Sequence, residues 1–290
     1  ERIIRAVMKP EISVVVPFHN EGPNVLPLVQ KTFAALQGER REIELVLVDD
    51  GSTDDTWQQI GEARRGDPRV RGLQHPRNRG QSAALWTGFK ASRGQLIATL
   101  DGDLQNHPDD LPRMLAELAT CDMVCGVRSR RMDGFVRRVS SALARWARRI
   151  VLGVDFRDAG CNLRVFKRSV VEVLTPFDGL HRFMPILAQK AGAAVKELSV
   201  THHPRVAGTS KYGIGNRLGR GLYDLLMVRW LMKRQVVAFA PETLIEVEVS
   251  PTTGSNAAQA VTRQPMRAGS EARNPDGRNP GAAGGAARIE

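Results

Sequence analysis

The stretch Gln95-Leu96-Ile97-Ala98-Thr99-Leu100-Asp101-Gly102-Asp103 joins an apolar run to two carboxylates. The run predicts a buried strand over residues 95–100. Residues i and i+2 of an extended chain point the same way, and a glycine between them adds no bulk. Hard cations such as Mg²⁺ take oxygen ligands and share them with substrate phosphates. The stretch is therefore a candidate divalent-metal site, and the alternative is a polar loop after a buried strand.

Strands and helices alternate on both sides of this stretch. The pattern predicts strands at 12–17, 43–49, 69–74, 95–100 and 122–127. It predicts helices at 24–37, from about 53, at 81–92 and at 109–119, the second with Ser52 or Thr53 as N-cap and Asp54 and Asp55 in its first turn. Such alternation predicts an α/β fold whose mostly parallel sheet is covered by helices on both faces.

Polar groups follow three of these strands directly. They are His19-Asn20-Glu21, Asp49-Asp50-Gly51-Ser52 and Asp101-Gly102-Asp103. Ligands of open α/β sheets bind beyond the carboxyl ends of the strands, so the three groups are predicted to meet at one edge. The first strand lacks the G-x-G-x-x-G of a dinucleotide site, and the chain has no P-loop. A nucleotide could still bind through side chains, with Asp50 accepting a hydrogen bond from a base N–H and Pro17 and His19 packing against the base or ribose.

The composition and net charge of the chain limit the classes of binding partner. The chain has 290 residues, 42% apolar, and a formal net charge of +11, which predicts a polyanionic partner. Aromatic residues make up 5%, with no stacking motif, which argues against nucleic acid. Cys121 and Cys125 have no second pair, which disfavours a zinc site. We expect no signal peptide and no spanning helix, since no uncharged apolar run reaches ~18 residues.

Several motifs together resemble the inverting family 2 glycosyltransferases, and most closely their polyprenyl-phosphate branch. They are Pro17-x-His19-Asn20-Glu21, Asp49-Asp50-Gly51-Ser52-Thr53-Asp54, Asn78-Arg79-Gly80, Leu100-Asp101-Gly102-Asp103-Leu104-Gln105-x-x-Pro108, Gly126-Val127-Arg128, Arg137-x3-Ser141, Asp158-x-Gly160-Cys161-x-Leu163-Arg164, His181-Arg182-Phe183-x-Pro185 and His203-Pro204-Arg205-x-x-Gly208-x-Ser210-Lys211-Tyr212. The resemblance covers about residues 11–235 and lies in the order and spacing of the motifs.

The resemblance implies a GT-A type nucleotide-binding fold and a metal-dependent enzyme. It implies that Pro17, His19, Glu21 and Asp50 line the nucleotide. It further implies that Asp101, Asp103 and Gln105 hold Mg²⁺ or Mn²⁺ against the diphosphate. The residues that it assigns to the acceptor phosphate are Arg128, Arg137, Ser141 and Arg205, with Lys211 nearby.

This chemistry suits those residue types. Breaking the bond to the diphosphate builds negative charge on the leaving group, and a bridging cation stabilises that charge as it forms. A lipid phosphate has a second pKa of about 6 and needs no strong base to become a nucleophile. Arginine forks bind phosphate oxygens in pairs and align them.

A polyprenyl acceptor requires contact with a membrane. In residues 137–150 the side chains of Val139, Leu143, Trp146 and Ile150 share a helical face flanked by arginines. A second amphipathic candidate spans 214–234, and the alternative for each is a core helix with a basic outer face. We expect peripheral attachment to the cytoplasmic face of the bacterial inner membrane, at an anionic surface.

The sequence therefore predicts a catalytic domain at 1–208, an amphipathic interface segment at 209–240 and a disordered, low-complexity tail at 241–290. The expected activity is transfer of a sugar from a UDP- or GDP-linked donor to a polyprenyl phosphate, in cell-envelope synthesis. Two alternatives stay open. One is a family 2 transferase with a polysaccharide or protein acceptor, which would need a general base. The other is a non-catalytic nucleotide-sugar-binding partner at the membrane.

Overall fold

The computed structural model describes residues 10–128, 145–201, 215–234, 245–248 and 262–265. The chain divides into two compact units, Glu1–Gln235 and Val236–Glu290. The predicted domain limits at 208 and 240 differ from this single division after Gln235, and the predicted segments stay a hypothesis.

Seven strands of the described chain form one sheet in the order β3-β2-β1-β4-β6-β5-β7. They are β1 Ile12–Phe18, β2 Ile43–Asp49, β3 Val70–Gln74, β4 Leu96–Thr99, β5 Met123–Arg128, β6 Arg164–Lys167 and β7 Val195–Val200. Strand β6 is antiparallel to β4 and β5, and the other pairs are parallel. The mostly parallel sheet and its five predicted strands are confirmed.

Helices cover both faces of this sheet. They are α1 Gly22–Ala35, α2 Thr56–Gly66, α3 Gln81–Ala91, α4 Leu111–Glu117, α5 over 145–152, α6 Arg168–Glu172, α7 Leu180–Lys190 and α8 Gly215–Arg234. Successive strand residues point to opposite faces. Val14 and Val16 of β1 accordingly pack with α1, α2 and α4. Val15 faces the other layer, which α3 and α5 to α8 supply.

The second helix begins later than the sequence predicts. Its first residue is Thr56, and Asp55 occupies the N-cap position without a side-chain cap hydrogen bond. The predicted N-cap at Ser52 or Thr53 is wrong because the preceding residues bind the loop after β1 instead. Ser52 Oγ accepts from the backbone N–H of Asn20 at 2.9 Å. Asp54 Oδ2 accepts from the N–H of Gly22 at 3.2 Å.

The strand order places a topological switch point between β1 and β4. From β1 the chain moves outward to β2 and β3, then returns to the other side of β1 for β4. Crevices of open α/β sheets form at such a reversal, outside the carboxyl ends of the strands. The residues after Phe18 and after Thr99 therefore border a natural ligand site.

The second unit contains a short antiparallel pair, β8 Ile245–Glu248 and β9 Thr262–Pro265. Both strands lie within the segment predicted as a disordered, low-complexity tail, and that prediction stays a hypothesis. The rest of that segment lies outside the described residues. In the described helices, no stretch is both long and apolar enough to cross a bilayer.

Candidate functional site

Gly102 fixes how closely the Asp101–Asp103 turn approaches the first strand. A Cβ atom at this position would lie 2.6 Å from Phe18 Cδ1 and 2.9 Å from the carbonyl oxygen of Pro17. Real Cβ atoms do not approach this closely, so only glycine fits without displacement. The two carboxylates that flank Gly102 are thereby held against the carboxyl end of β1, at the switch point.

Three side-chain amides converge on the carboxylate of Asp101. Its Oδ1 accepts from Gln81 Nε2 at 2.8 Å and from Asn162 Nδ2 at 3.0 Å. Its Oδ2 accepts from Asn106 Nδ2 at 3.3 Å. An ionised carboxylate only accepts hydrogen bonds, so the three amides fix its orientation. The donors come from α3, from the loop after Asp103 and from the loop before β6.

The surroundings of Asp101 destabilise its ionised form. Burial, followed by the negative charge of Asp103, raises the pKa of Asp101 to about 6. The hydrogen bond from Asn162 and the positive charges of Arg164 and Arg128 act in the opposite direction. Two carboxylates that share a site destabilise each other's charged forms, and a cation between them relieves that repulsion.

The oxygen donors at this turn fit a hard divalent cation. The backbone N–H of Gln105 donates to Asp103 Oδ1 at 3.2 Å, across a turn in which Leu104 has φ +58°. Asn162 Oδ1 is buried and has no hydrogen-bond partner within the described chain. Carboxylate and amide oxygens are ligands that Mg²⁺ accepts. Among the described residues no group of three or more His, Cys, Asp or Glu could hold a metal ion. A cation at this turn would therefore be bound by the carboxylates of Asp101 and Asp103. Amide oxygen, substrate or water would complete its coordination sphere.

Asp50 clamps a loop at the same edge. Its side chain is buried at 3% exposure. Its Oδ1 accepts from the backbone N–H of Arg79 at 2.9 Å and lies 2.8 Å from His75 Nδ1. Its Oδ2 accepts from the N–H of Gly80 at 2.7 Å. The carboxylate thus shapes the segment 75–80, and its predicted contact with a nucleotide base stays a prediction.

The remaining nucleotide residues lie at the end of β1. Pro17 is buried in the strand, and His19 and Glu21 are partly exposed just beyond it. The Nδ1 of His19 donates to the carbonyl oxygen of Asp50 at 3.0 Å. Glu21 Oε2 accepts from Asn24 Nδ2 at 2.6 Å. Tertiary structure therefore brings Pro17, His19, Glu21 and Asp50 together, although their roles toward a nucleotide stay predictions.

Arg128 ends β5 at this same edge of the sheet. Strand β5 runs parallel to β4, since both are antiparallel to β6. The Arg128 fork binds Asp158 through Nε to Oδ2 at 2.6 Å and Nη2 to Oδ1 at 2.8 Å. Burial acts to lower the pKa of Arg128, but the hydrogen bonds to Asp158 and its negative charge act in the other direction, and the pKa is raised on balance. The predicted acceptor residues Arg137, Ser141 and Arg205, and the neighbouring Lys211, lie outside the described residues.

The site contains residues that the sequence did not assign to it. They are the amide donors Gln81, Asn106 and Asn162, and Arg164, which is 2% exposed and has a buried Nε without a hydrogen-bond partner in the described chain. Single amides leave no periodic or spacing signal. Arg164 was visible as part of Cys161-x-Leu163-Arg164, but its burial beside Asp101 depends on the pairing of β6 with β4.

Comparison with known proteins places the chain in a family. The sequence model described as Glycosyl transferase family 2 matches residues 13–174. That span is more than half of the 290 residues and contains every described site residue from Pro17 to Arg164. The chain belongs to glycosyl transferase family 2.

Two relatives are similar over most of this chain. A dodecaprenyl-phosphate galacturonate synthase of Rhizobium johnstonii is 40% identical over 232 residues, which are 77% of this chain and 68% of that protein. An undecaprenyl-phosphate 4-deoxy-4-formamido-L-arabinose transferase of Shewanella sediminis is 38% identical over 217 residues, 74% of this chain and 65% of the relative. The chain thus spans about two thirds of the length of these relatives.

Solved structures share the fold. Glucosyl-3-phosphoglycerate synthase of Mycobacterium tuberculosis, solved with Mg²⁺ and uridine diphosphate, has a TM-score of 0.56 at 20% identity. The match covers 89% of this chain and 87% of that one. A second structure of the same enzyme, with Mn²⁺, uridine diphosphate and glucosyl-3-phosphoglycerate, has a TM-score of 0.55. The GT-A type fold predicted from the motifs is confirmed.

Proposed function

We propose that this chain is a metal-dependent, inverting glycosyltransferase that moves a sugar from a nucleotide-sugar to a polyprenyl phosphate. The observation that carries the proposal is the Asp101–Asp103 turn at the switch point, facing the end of β5 where Arg128 lies. Support comes from the two relatives, whose names describe a sugar and a prenyl phosphate. The solved neighbours that bind uridine diphosphate with Mg²⁺ or Mn²⁺ support a metal-assisted donor site.

Asp101 and Asp103, with Gln105, would hold the cation. A bound Mg²⁺ or Mn²⁺ supplies neutralisation of the charge that grows on the diphosphate as the glycosidic bond breaks. The protein's part is to keep both carboxylates in place, which the three amides on Asp101 and the close fit of Gly102 against Phe18 accomplish. Preorganised groups of this kind need no rearrangement during the reaction.

The nucleotide would lie across the ends of β1 and β2. His19 and Glu21 border that space, and Asp50 sets the loop 75–80 that closes it on one side. The base that this space would accept is uracil or guanine.

The acceptor phosphate would be bound by Arg128, assisted by Arg137, Ser141, Arg205 and Lys211. A phosphate monoester with a second pKa of about 6 is largely a dianion near neutral pH. It can attack the anomeric carbon directly, so the reaction needs alignment rather than a general base. Arg128 is suited to this because Asp158 holds its Nε and Nη2 and thereby fixes the plane of the guanidinium group.

Two neighbouring helices would contact the membrane. The structure leaves Trp146 and Ile150 of α5 exposed at 60% and 59%, and Tyr223 and Trp230 of α8 exposed at 70% and 60%. The opposite sides of both helices are buried, with Leu152 and Val228 in the core. Arg229 of α8 donates to the carbonyl of Val151 and joins the two helices.

Exposed aromatic residues beside Arg148, Arg149, Lys233 and Arg234 fit an anionic interface. We propose peripheral attachment at the cytoplasmic face of the inner membrane.

The proposal is tested by incubating the purified chain with Mn²⁺, a radiolabelled nucleotide-sugar and a bacterial lipid extract. Label that enters an acid-labile lipid monophosphate sugar supports it. Label that enters only a polymer indicates the polysaccharide alternative, and nucleotide-sugar binding without any transfer indicates a non-catalytic partner. Either of the last two results overturns the proposal.

A further inference from the structure

His181 lies at the start of α7 with a ring that one neighbour holds in a single tautomer. Its Nδ1 is 2.7 Å from Ser82 Oγ. The same Oγ accepts a hydrogen bond from the backbone N–H of Gly179 at 3.0 Å. A hydroxyl has one proton to donate, and we assign Nδ1 as the acceptor of the buried Ser82 hydroxyl because Oγ donates no other hydrogen bond within the described chain. Nδ1 is therefore unprotonated, and the proton of the neutral ring is on Nε2.

Burial and neighbouring positive charges keep the ring neutral. Burial, then the charges of Arg182 on the same helix and of Arg164 on β6, lower the pKa of His181 to about 3. Arg164 Nη1 also donates to the carbonyl oxygen of His181. The nearest acid on α8, Asp224, lies 2.9 Å from Arg182 Nη2 at an angle too poor for a hydrogen bond. Asp178 is the acid on the preceding turn. The ring thus offers an N–H donor without a positive charge.

The ring is connected to the candidate metal site through two neighbouring residues of α3. Ser82, which holds Nδ1, follows Gln81, whose amide donates to Asp101 at 2.8 Å. Arg164, which holds the backbone of His181, begins the strand beside β4 on the side away from β1. His181 remains partly exposed, and within the described chain its ring makes a hydrogen bond through Nδ1 and none through Nε2. A donor that the fold orients but does not use is available to a ligand.

We propose that His181 Nε2 donates a hydrogen bond to an oxygen of the transferred sugar and thereby contributes to donor selectivity. The inference rests on the proposed function, which assigns the nucleotide to β1 and β2 and the diphosphate to Asp101 and Asp103. His181 contacts both Ser82 of α3, which packs on β1 and β2, and Arg164 of β6, on the other side of β4. It therefore lies between the proposed nucleotide side and the proposed acceptor side of the site, where the sugar attached to the diphosphate would lie. Sites built to pair a hydroxyl discriminate strongly against ligands that lack it.

Two substitutions separate the contact to Ser82 from the contact to the sugar. The His181→Asn side chain places an amide oxygen near the position of Nδ1, so it can keep the bond from Ser82, but it has no donor at the position of Nε2. The His181→Gln side chain can extend an amide N–H to the position of Nε2. His181→Asn therefore keeps the contact to Ser82 but removes the donor to the sugar. His181→Gln restores a donor at the position of Nε2.

The experiment is calorimetric titration of the full chain with Mg²⁺. The ligands are UDP-galacturonate, UDP-glucuronate, UDP-glucose and GDP-mannose, with UDP and GDP as references. The measured quantity is the ratio of Kd for the diphosphate to Kd for the best-binding nucleotide-sugar. We expect His181→Asn to lower this ratio about tenfold while the Kd of the diphosphate changes less than twofold, and His181→Gln to recover part of the ratio. An unchanged ratio, or equal losses for both ligands, overturns the inference.

A second measurement uses the wild-type chain and does not depend on variants that fold. In ¹⁵N-histidine NMR spectra, His181 should show the neutral Nε2–H tautomer, and its Nε2 resonance should move with the nucleotide-sugar but not with the diphosphate alone. A charged ring, the other tautomer, or equal shifts with both ligands would contradict the inference. Absence of binding by every nucleotide-sugar would instead overturn the proposed function itself.

Discussion

Arg128 and Asp158 form a two-pronged ion pair, with Nε 2.6 Å from Oδ2 and Nη2 2.8 Å from Oδ1. Side-chain exposure is 19% for Arg128 and 7% for Asp158, so the pair is largely shielded from water. Removing one partner of a shielded pair leaves an uncompensated charge, and the effect of that charge must be separated from any role in catalysis.

We expect Arg128→Ala to lower the rate of sugar transfer by about 10²–10³-fold while nucleotide affinity stays within about twofold. The physical reason is loss of a planar cation that aligns the acceptor phosphate. The measurement is the lipid-transfer assay combined with calorimetric titration of the nucleoside diphosphate. Normal transfer by Arg128→Ala would refute the assignment of this residue to the acceptor.

Asp158→Asn is the matched control for the ion pair. It breaks the same pair and releases the guanidinium plane but keeps the positive charge, so its loss of transfer activity should be smaller than that of Arg128→Ala. Arg157→Ala, whose side chain is 59% exposed and pairs with Glu197 at 3.3 Å, controls for loss of a surface arginine. Equal losses of transfer activity in Arg128→Ala and Asp158→Asn would mean that the ion pair has a structural role only.

Asp103→Ala should abolish metal-dependent nucleotide binding. Without this carboxylate the turn after β4 retains a single acidic ligand, so we expect transfer to fall by at least about 10²-fold. Asp109→Ala is a control carboxylate six positions later, with 68% side-chain exposure and a surface pair to His107. Titration of the nucleoside diphosphate with and without Mn²⁺ measures metal-dependent binding in each variant. If the affinity of Asp103→Ala for the diphosphate still depended on Mn²⁺, the assignment of Asp103 as a metal ligand would be contradicted.

Gly102→Ala should destabilise the fold and displace the carboxylates together. The new Cβ would lie 2.6 Å from Phe18 Cδ1, and overpacking of this kind costs about 1–3 kcal/mol of unfolding free energy. Gly38→Ala is the control, because a Cβ there meets nothing within 4 Å. Urea unfolding and nucleotide titration measure both effects. Equal stability of the two variants would show that the turn does not press on β1.

Trp146→Ser and Trp230→Ser should each weaken binding to anionic lipid vesicles by about tenfold, since each removes a large apolar side chain from the proposed interface. Binding should also weaken as the salt concentration rises, because salt screens the surrounding basic residues. Trp57→Ser is the control, because Trp57 is 39% exposed on α2, which covers the opposite face of the sheet. Vesicle sedimentation provides the measurement, and equal losses in all three variants would contradict the proposed membrane surface.

His181 should make the protein sensitive to acid. Its pKa is about 3 in the folded chain and 6.5 without perturbation, so between these values the unfolded chain binds a proton that the folded chain does not. The stability that the neutral ring contributes is complete above pH 6.5 and is lost as the pH falls toward 3. His181→Asn should therefore flatten the decline of unfolding free energy between pH 6.5 and 4 by up to about 1.4 kcal/mol per pH unit. Identical slopes in urea titrations of wild type and variant would contradict this.

Local patterns were sufficient for much of the fold. Apolar runs over 12–17, 43–49 and 95–100 identified three neighbouring strands, because burial on both faces requires continuous apolar residues. The N-cap of α2 was missed because Ser52 and Thr53 bind Asn20 in the loop after β1 rather than their own helix. Strands β6 and β7 were also missed, because charged residues interrupt their apolar residues, at Arg164 and Lys167 in β6 and at Lys196 and Glu197 in β7.

The sequence by itself determined the alternating α/β order, the glycosyl transferase family 2 motifs and the two carboxylates after β4, since these depend on residue type and spacing along the chain. Only the tertiary structure decided that Gln81, Asn106 and Asn162 meet on Asp101, that Asp50 shapes the loop 75–80, and that His181 is fixed by Ser82. Those contacts join residues far apart in sequence, and hydrogen-bond direction and burial exist only once the strands have paired and the helices have packed.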